Sequence, residues 1–247
     1  MELGNGSPIV LSKEFKEVIR QMENTRHSMF ITGRAGTGKS TLLRLFRKTT
    51  KLRTAVVAPT GIAALNVKGT TIHSFFGFPP KLLHPSDIYE RRNSRVYRNL
   101  DVLIIDEISM VRADMMDNID YFLRVNRNNY QEAFGGVKVI FFGDMFQLPP
   151  VVAKQAEREY IAEHYESPYF FSAKVWQDDA PLEIFELQEV YRQTDRSFIR
   201  ILDNVRTQDI DYDDLEDLNN RYVEDYDDDW YITLCARNDQ AHRINRE

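Results

Sequence analysis

Apolar residues fall along this chain in two alternating patterns. Short, nearly all-apolar runs stand at Met29-Phe30-Ile31, at about Thr54–Ala58, at Val102–Ile105 and at Val137–Phe142. Runs of this length with no polar alternation predict strands of a parallel sheet covered on both faces. Between them apolar residues recur at helical spacing. Phe15, Val18, Ile19 and Met22 follow at i, i+3, i+4, i+7 behind Ser12, a natural helix cap. Thr41 to Phe46 and Asp114 to Val125 also read as helices. Alternating strands and helices predict an α/β domain built on a doubly wound, mostly parallel sheet.

Two segments stand outside that rhythm. Phe78 to Asn99 carries Pro79-Pro80, Pro85 and a basic cluster of Arg91, Arg92, Arg95 and Arg98, and reads as an insertion on the rim. A boundary is expected near Asp178–Pro181. Beyond it Leu182-Glu183-Ile184-Phe185 begins a new strand, a helix follows from about Ser197, and Tyr231–Cys235 forms another strand before a last helix. The pattern stops at Glu247 inside that helix. The expected organisation is therefore a first domain over residues 1–180 and the opening, incomplete part of a second over 181–247.

The first candidate chemistry is Gly33-Arg34-Ala35-Gly36-Thr37-Gly38-Lys39-Ser40, which fits the phosphate-binding pattern G-x-x-x-x-G-K-[ST] between a predicted strand and a predicted helix. Glycines let the backbone turn its N–H groups inward around a phosphate, and the helix start adds partial positive charge there. Gly33, Ala35, Gly36, Thr37, Gly38, Lys39, Ser40 and Thr41 are the candidate nucleotide-binding residues. Lys39 is expected on the β- and γ-phosphates and Ser40 on Mg²⁺. Asp106 and Glu107 close a buried strand, the edge at which open α/β sheets bind ligands. Asp106 is assigned to the metal and Glu107 to orienting and deprotonating water. Gly143-Asp144-Met145-Phe146-Gln147 ends another strand, and the Gln147 amide suits a sensor of the terminal phosphate.

Ala58 to Asn66 sits at a strand end and opens a helix, and Gly69 to Phe76 adds hydroxyls, His73 and aromatic rings. This chemistry suits single-stranded nucleic acid. A packed His73 and core Phe75 and Phe76 are the alternative reading. Arg192 lies past the expected boundary, where an arginine is placed to cross to the nucleotide. A surface ion pair is the simpler reading of it in isolation.

Composition narrows the class. A 43% apolar content with 12% aromatics supports a large core. The one cysteine, Cys235, excludes an internal disulfide and fits a reducing compartment. No apolar run approaches the ~20 residues of a membrane span. The start, Met1 to Gly6, has no signal-peptide pattern. A cytoplasmic or otherwise intracellular protein without a membrane partner is expected. The net charge of −6 conceals an asymmetry. Residues 209–229 are strongly acidic, so the rest of the chain is net positive. Tyr212, Leu215, Leu218 and Tyr222 recur there at helical spacing and predict a helix with an apolar stripe.

Taken together, Gly33–Ser40, Ala58–Phe76, Leu103–Val111, Phe134–Pro150 and Leu187–Asp195 resemble the Pif-type family of superfamily 1B DNA helicases, relatives of RecD-like helicases. Ile105 to Asp114 and Phe134-Gly135-Gly136 resemble family signatures, and Leu234 to Asn238 with Ile244-Asn245 resembles an early segment of the family's second RecA-like domain. The resemblance implies a RecA-like P-loop motor that uses Mg-ATP to move 5′→3′ along single-stranded DNA and to separate forked duplex DNA, in repair, recombination and telomere maintenance. A monomer is expected. Lys39, Asp106, Glu107, Gln147 and the arginine finger Arg192 would be catalytic. Thr60, Gly61, Thr71, His73 and Ser74 would face the DNA strand, and the 78–99 insertion is the candidate wedge. Phe15 stands where the family usually places a glutamine that recognises adenine. The family's later motifs are absent, so slow hydrolysis without unwinding is expected of this chain alone. A RecD-like subunit of a nuclease complex, a nucleotide-gated protein-binding module and a P-loop kinase are the competing assignments.

Overall fold

The computed structural model describes residues 12–177, 180–193, 195–224, 232–235 and 237–246. In chain order the first elements are α1 (Lys13–Asn24), β1 (Ser28–Gly33), α2 (Lys39–Thr49), β2 (Thr54–Ala58), α3 (Gly61–Asn66), β3 (Thr70–Thr71) and α4 (Ile72–Phe76). Next come α5 (Arg95–Arg98), β4 (Val102–Ile105), α6 (Ala113–Arg127), β5 (Lys138–Phe142), α7 (Gln155–His164) and β6 (Leu182–Leu187). Helices α8 (Arg196–Thr207), α9 (Tyr212–Asn219) and α10 (Asn238–Ile244) follow. The strands form one sheet in the order β3-β2-β4-β5-β1-β6, and every pairing is parallel.

The apolar runs serve both faces. Phe30, Leu103, Ile105, Val139 and Phe141 point to the layer that holds α6. Their chain neighbours Met29, Ile31, Val102, Ile104, Ile140 and Phe142 point to the layer of α1 and α2. Successive strand residues face opposite ways, so burial on both sides demands the nearly all-apolar runs seen in the sequence. Ser12 caps α1 by accepting the Phe15 N–H at 3.2 Å, and α1 buries Phe15, Val18 and Met22.

Three expectations are corrected. First, residues 182–187 do not open a second sheet. They pair with β1 from Ser28–Leu182 to Gly33–Leu187 and form the edge strand of the first sheet. The proline-bearing connection before them joins two parallel strands and does not mark a domain boundary there. Second, of the strand expected at 231–235, residue 231 lies outside the described residues and 232–235 form no ladder, with Ile232 and Leu234 over nine-tenths exposed. Third, the acidic helix is present as α9, but its apolar stripe mostly faces outward: Tyr212 and Leu215 are exposed and Leu218 is half-buried. Asp214 is instead the fully buried residue, taking a hydrogen bond from Asn204 at 2.6 Å and an ion pair from Arg200 at 3.0 Å, so polar contacts seat α9 on α8.

The 78–99 insertion is anchored, not loose. Phe78, Leu83, Ile88 and Tyr97 enter the core, and Arg91 donates to the carbonyls of Phe76 and Gly77 at 2.8 Å each. The Phe134-Gly135-Gly136 segment is a left-handed turn that leads into β5, with φ of 53°, 60° and 76°. A Cβ on Gly135 would stand 2.7 Å from the Leu123 carbonyl oxygen. Gly135→Ala therefore has both a left-handed backbone and a backbone clash to absorb, and is expected to destabilise by about 2 kcal/mol or more. Urea unfolding should show a lower midpoint at unchanged slope; an unmoved midpoint would contradict the assignment of strain to this turn.

Candidate active site

The parallel sheet delivers its candidate residues to one edge. The Gly33–Ser40 loop follows β1, Pro59-Thr60 follows β2, Asp106-Glu107 follows β4 and Asp144 follows β5. Each lies at the C-terminal end of its strand, where ligands of open α/β sheets bind.

The loop after β1 is shaped for close approach. Gly36 and Gly38 both have φ of +85°. A Cβ on Gly36 would meet the Arg192 Cβ at 2.8 Å, and the Gly36 carbonyl accepts the Tyr191 N–H at 2.9 Å. A Cβ on Gly38 would meet the Phe15 ring at 2.8 Å. Glycine is needed at both positions for conformation and for space. Gly38 caps α2 without any side-chain hydrogen bond, so the first N–H groups of α2 face the loop and favour an anion. Thr37 is fully buried, and its hydroxyl donates to the Arg34 carbonyl at 2.9 Å. Thr37 therefore braces the loop. Ala35 and Ser40 are exposed at its mouth, and Thr41 is half-buried in the first turn of α2.

Lys39 Nζ donates to the carbonyls of Gly33 at 2.6 Å and Arg34 at 3.1 Å. Burial lowers its pKa, while the carboxylates of Asp144, Glu107 and Asp106 act in the opposite direction. Asp106 is buried, and its carboxyl is pushed up to about 6 by that burial and by the Glu107 charge. Glu107 occupies the left-handed region at φ 53°, ψ 47°. A non-glycine residue held there costs about 1–3 kcal/mol and commonly marks a functional turn. The strand periodicity ends there, and consecutive acids are presented differently to one site.

Asp144 is 1% exposed. Burial alone would raise its pKa; hydrogen bonds from Arg206 and the Phe146 N–H, the Arg206 charge and the Gln147 amide outweigh that and lower it. Arg206 Nη2 lies 3.0 Å from Asp144 Oδ1 and its Nε 3.1 Å from Oδ2, a forked pairing. Gln147 is exposed and donates from Nε2 to Asp144 Oδ2 at 3.3 Å. Arg192 is exposed against the Gly36 turn. The structure thus gathers Lys39, Asp106, Glu107, Gln147 and Arg192 around one loop.

Phe15, in place of the resemblance's glutamine, is buried and meets the Tyr191 ring edge-on at 5.8 Å. It supplies an apolar wall where an amide was expected. Asp144 and Arg206 escaped the sequence reading as site residues. Asp144 sat inside a noted segment without a role. Arg206 belongs to a helix more than 60 residues further along, and no local pattern marks it.

The candidate DNA residues gather beside this edge. Thr60 caps α3 through the Ala63 N–H at 3.2 Å, and Thr71 caps α4 through the Ser74 N–H at 3.2 Å. Gly61 and Ser74 are exposed. His73 is half-buried, its pKa lowered by burial and then by the Arg112 charge. Thr60, His73, Lys81, Arg112 and Glu157 line a cleft of about 310 Å³. The rings of the segment are not stacking platforms. Phe76 is fully buried and packs against Phe78, Tyr97 and Phe122, and Phe75 packs edge-on against Phe76 and Tyr97.

A family model described as PIF1-like helicase matches residues 10–214. The ATP-dependent DNA helicase PIF1 of Saccharomyces cerevisiae (strain YJM789) is 40% identical over 215 residues, covering 83% of this chain and 24% of that protein. A crystal structure of Pif1 helicase from Bacteroides in complex with ADP-AlF3 and ssDNA aligns with a TM-score of 0.87 at 37% identity, over 97% of this chain and 57% of that one. A Pif1 structure determined for DNA unwinding at forked dsDNA by two coordinating helicases aligns with a TM-score of 0.88 at 37% identity, over 96% of this chain and 57% of that one. The chain thus spans about a quarter of the length of that curated relative and just over half of those solved chains. With the family model covering most of its length, the chain belongs to the PIF1-like helicase family.

Proposed function

We propose that this chain is the ATP-binding part of a DNA helicase that translocates 5′→3′ on single-stranded DNA and separates forked duplex DNA. The carrying observation is the meeting of Lys39, Asp106, Glu107 and Gln147 at one sheet edge, next to a separate cleft with Thr60 and His73. Lys39 and the N–H groups of α2 hold the phosphates. Glu107 orients the attacking water and takes its proton. Gln147 reads the terminal phosphate, and Arg192, beside Gly36, stabilises charge on it. Mg²⁺ fits the donors present, since Ser40 and Asp106 offer hard oxygen ligands, and Asp106 is a buried carboxyl whose charged form a cation would favour. The ion would neutralise charge on the phosphate oxygens when bound. Residues past β6 would begin a second RecA-like domain that closes on the nucleotide, the 78–99 insertion would separate strands, and one copy would track each DNA strand.

The DNA cleft is tested by fluorescence anisotropy with labelled oligo(dT), with and without Mg-AMPPNP. Nucleotide is expected to change the affinity, and His73→Ala together with Thr60→Ala to weaken it about threefold to tenfold through lost polar contacts. Affinity indifferent both to nucleotide and to these substitutions would refute the placement of DNA in this cleft.

A further inference from the structure

Helix α8 reaches the nucleotide site from outside the segments that carried the sequence resemblance, the last of which ends at Asp195. Two of its residues, Asp203 and Arg206, stand three positions apart and therefore share a face. Asp203 pairs with Arg34, the second residue of the Gly33–Ser40 loop. The Arg34 carbonyl is one of the two acceptors of the Lys39 ammonium and also accepts the Thr37 hydroxyl. Arg206 grips Asp144 with its fork and lies over the Phe146 ring, with Cζ 4.2 Å from the centroid. Asp144 in turn accepts the Gln147 amide and the Phe146 N–H, at 3.3 and 3.2 Å. The Arg206 side chain is 17% exposed and that of Asp144 1%, so the pair is largely shielded from water. One helix face thus braces two separate loops around the phosphates. At its start α8 is capped by Asp195, which accepts the Ser197 and Phe198 N–H groups, just after Arg192 and Gln193 lie against Gly36. Further along the helix, Arg200 and Asn204 hold Asp214 of α9.

We propose that Arg206 is a positioning residue of the hydrolytic site: by holding Asp144 it sets where the Gln147 amide stands, so that recognition of the terminal phosphate depends on α8. The proposal rests on the nucleotide-site reading above. Besides the Phe146 N–H, the Asp144 carboxylate accepts from two side chains, the Arg206 guanidinium and the Gln147 amide, which share its Oδ2. When Gln147 turns toward a terminal phosphate it leaves Asp144, and Arg206 keeps that carboxylate neutralised and in place. Without the arginine, Asp144 is a buried charge facing the phosphates. It then holds Gln147 back and repels the terminal phosphate, which the diphosphate lacks. Arg206 thus acts through Asp144 and need not touch nucleotide.

The test is the preference for triphosphate over diphosphate, read with mant-AMPPNP and mant-ADP in the presence of Mg²⁺, for the whole chain and for Arg206→Ala, Gln147→Ala and the double variant. Each single substitution is expected to reduce the preference about tenfold, with mant-ADP affinity within about threefold of the parent. The double variant is expected to fall little further, because the two residues act through one carboxylate. Loss of affinity for both nucleotides in parallel, an unchanged preference, or fully additive losses would each overturn the proposal and leave Arg206 a structural ion pair. Circular dichroism establishes that the variants fold. Should Arg206→Ala unfold, Arg206→Lys keeps the charge but not the fork, and an intermediate loss of preference is expected from it; none would overturn the proposal. The two readings fail differently. Parent protein that binds neither nucleotide, or that binds no better than Lys39→Ala, refutes the nucleotide site itself. Normal binding and discrimination that survive in Arg206→Ala refute only the role of Arg206.

Discussion

Lys39→Ala is expected to lower Mg-ATP affinity at least a hundredfold and to abolish hydrolysis, with the fold intact. The ammonium is held at the mouth of the loop by the Gly33 and Arg34 carbonyls, pointing where phosphates would lie. Charge-assisted hydrogen bonds of this kind contribute about 1.5–3 kcal/mol each, and a phosphate left facing a buried gap loses more than one of them. Stability should change little, because α2 is anchored by Leu42, Leu43, Leu45 and Phe46, while Lys39 stands at the helix start. Isothermal titration with Mg-ATP, alongside thermal melting, measures both. Retained affinity in a folded Lys39→Ala chain would mean that the loop is a turn and that nucleotide binds elsewhere.

Glu107→Gln is expected to separate binding from chemistry. Hydrolysis should fall about 10²- to 10⁴-fold, the usual contribution of a positioned general base. Mg-ATP affinity should stay within a few-fold, since the amide keeps the shape and the left-handed turn at φ 53° is unchanged by an isostere. The electrostatics work in the same direction. The Glu107 charge is one of the causes that push Asp106 up to about 6, after burial. Removing that charge favours ionised Asp106 and so favours the cation-bound state. Single-turnover phosphate release reads the chemical step apart from release of product. Unchanged single-turnover rates would transfer the role of base to another residue at this edge. Affinity lost together with rate would make Glu107 a binding group.

Much of the site was legible because its signals are local. The Gly33–Ser40 loop needs glycine for backbone geometry, and Gly36 and Gly38 do adopt φ of +85°. Asp106 and Glu107 end an apolar run because a strand buried on both faces can offer acids only where it leaves the core. The helix of Phe15, Val18 and Met22 was legible from its spacing and its Ser12 cap. Phe75 and Phe76 were ambiguous, since an aromatic pair suits a core as well as a base stack. Packing against Phe78, Tyr97 and Phe122 decided for the core.

What the amino-acid sequence determined by itself is therefore the alternation of strand and helix, the phosphate loop, the acids at the end of β4 and the family. All of these rest on residues within a few positions of one another, where backbone conformation and periodicity act. Tertiary structure decided the rest. It placed residues 182–187 in the first sheet, because a parallel strand finds its partner across a long connection that leaves no local mark. It turned the stripe of α9 outward, because Asp214 pairs with Arg200 and Asn204 on a neighbouring helix. It also brought Arg206 to Asp144, a contact between a buried carboxylate and a largely shielded guanidinium, whose partners are specified by three-dimensional proximity and by the low dielectric between them, and by nothing in their spacing along the chain.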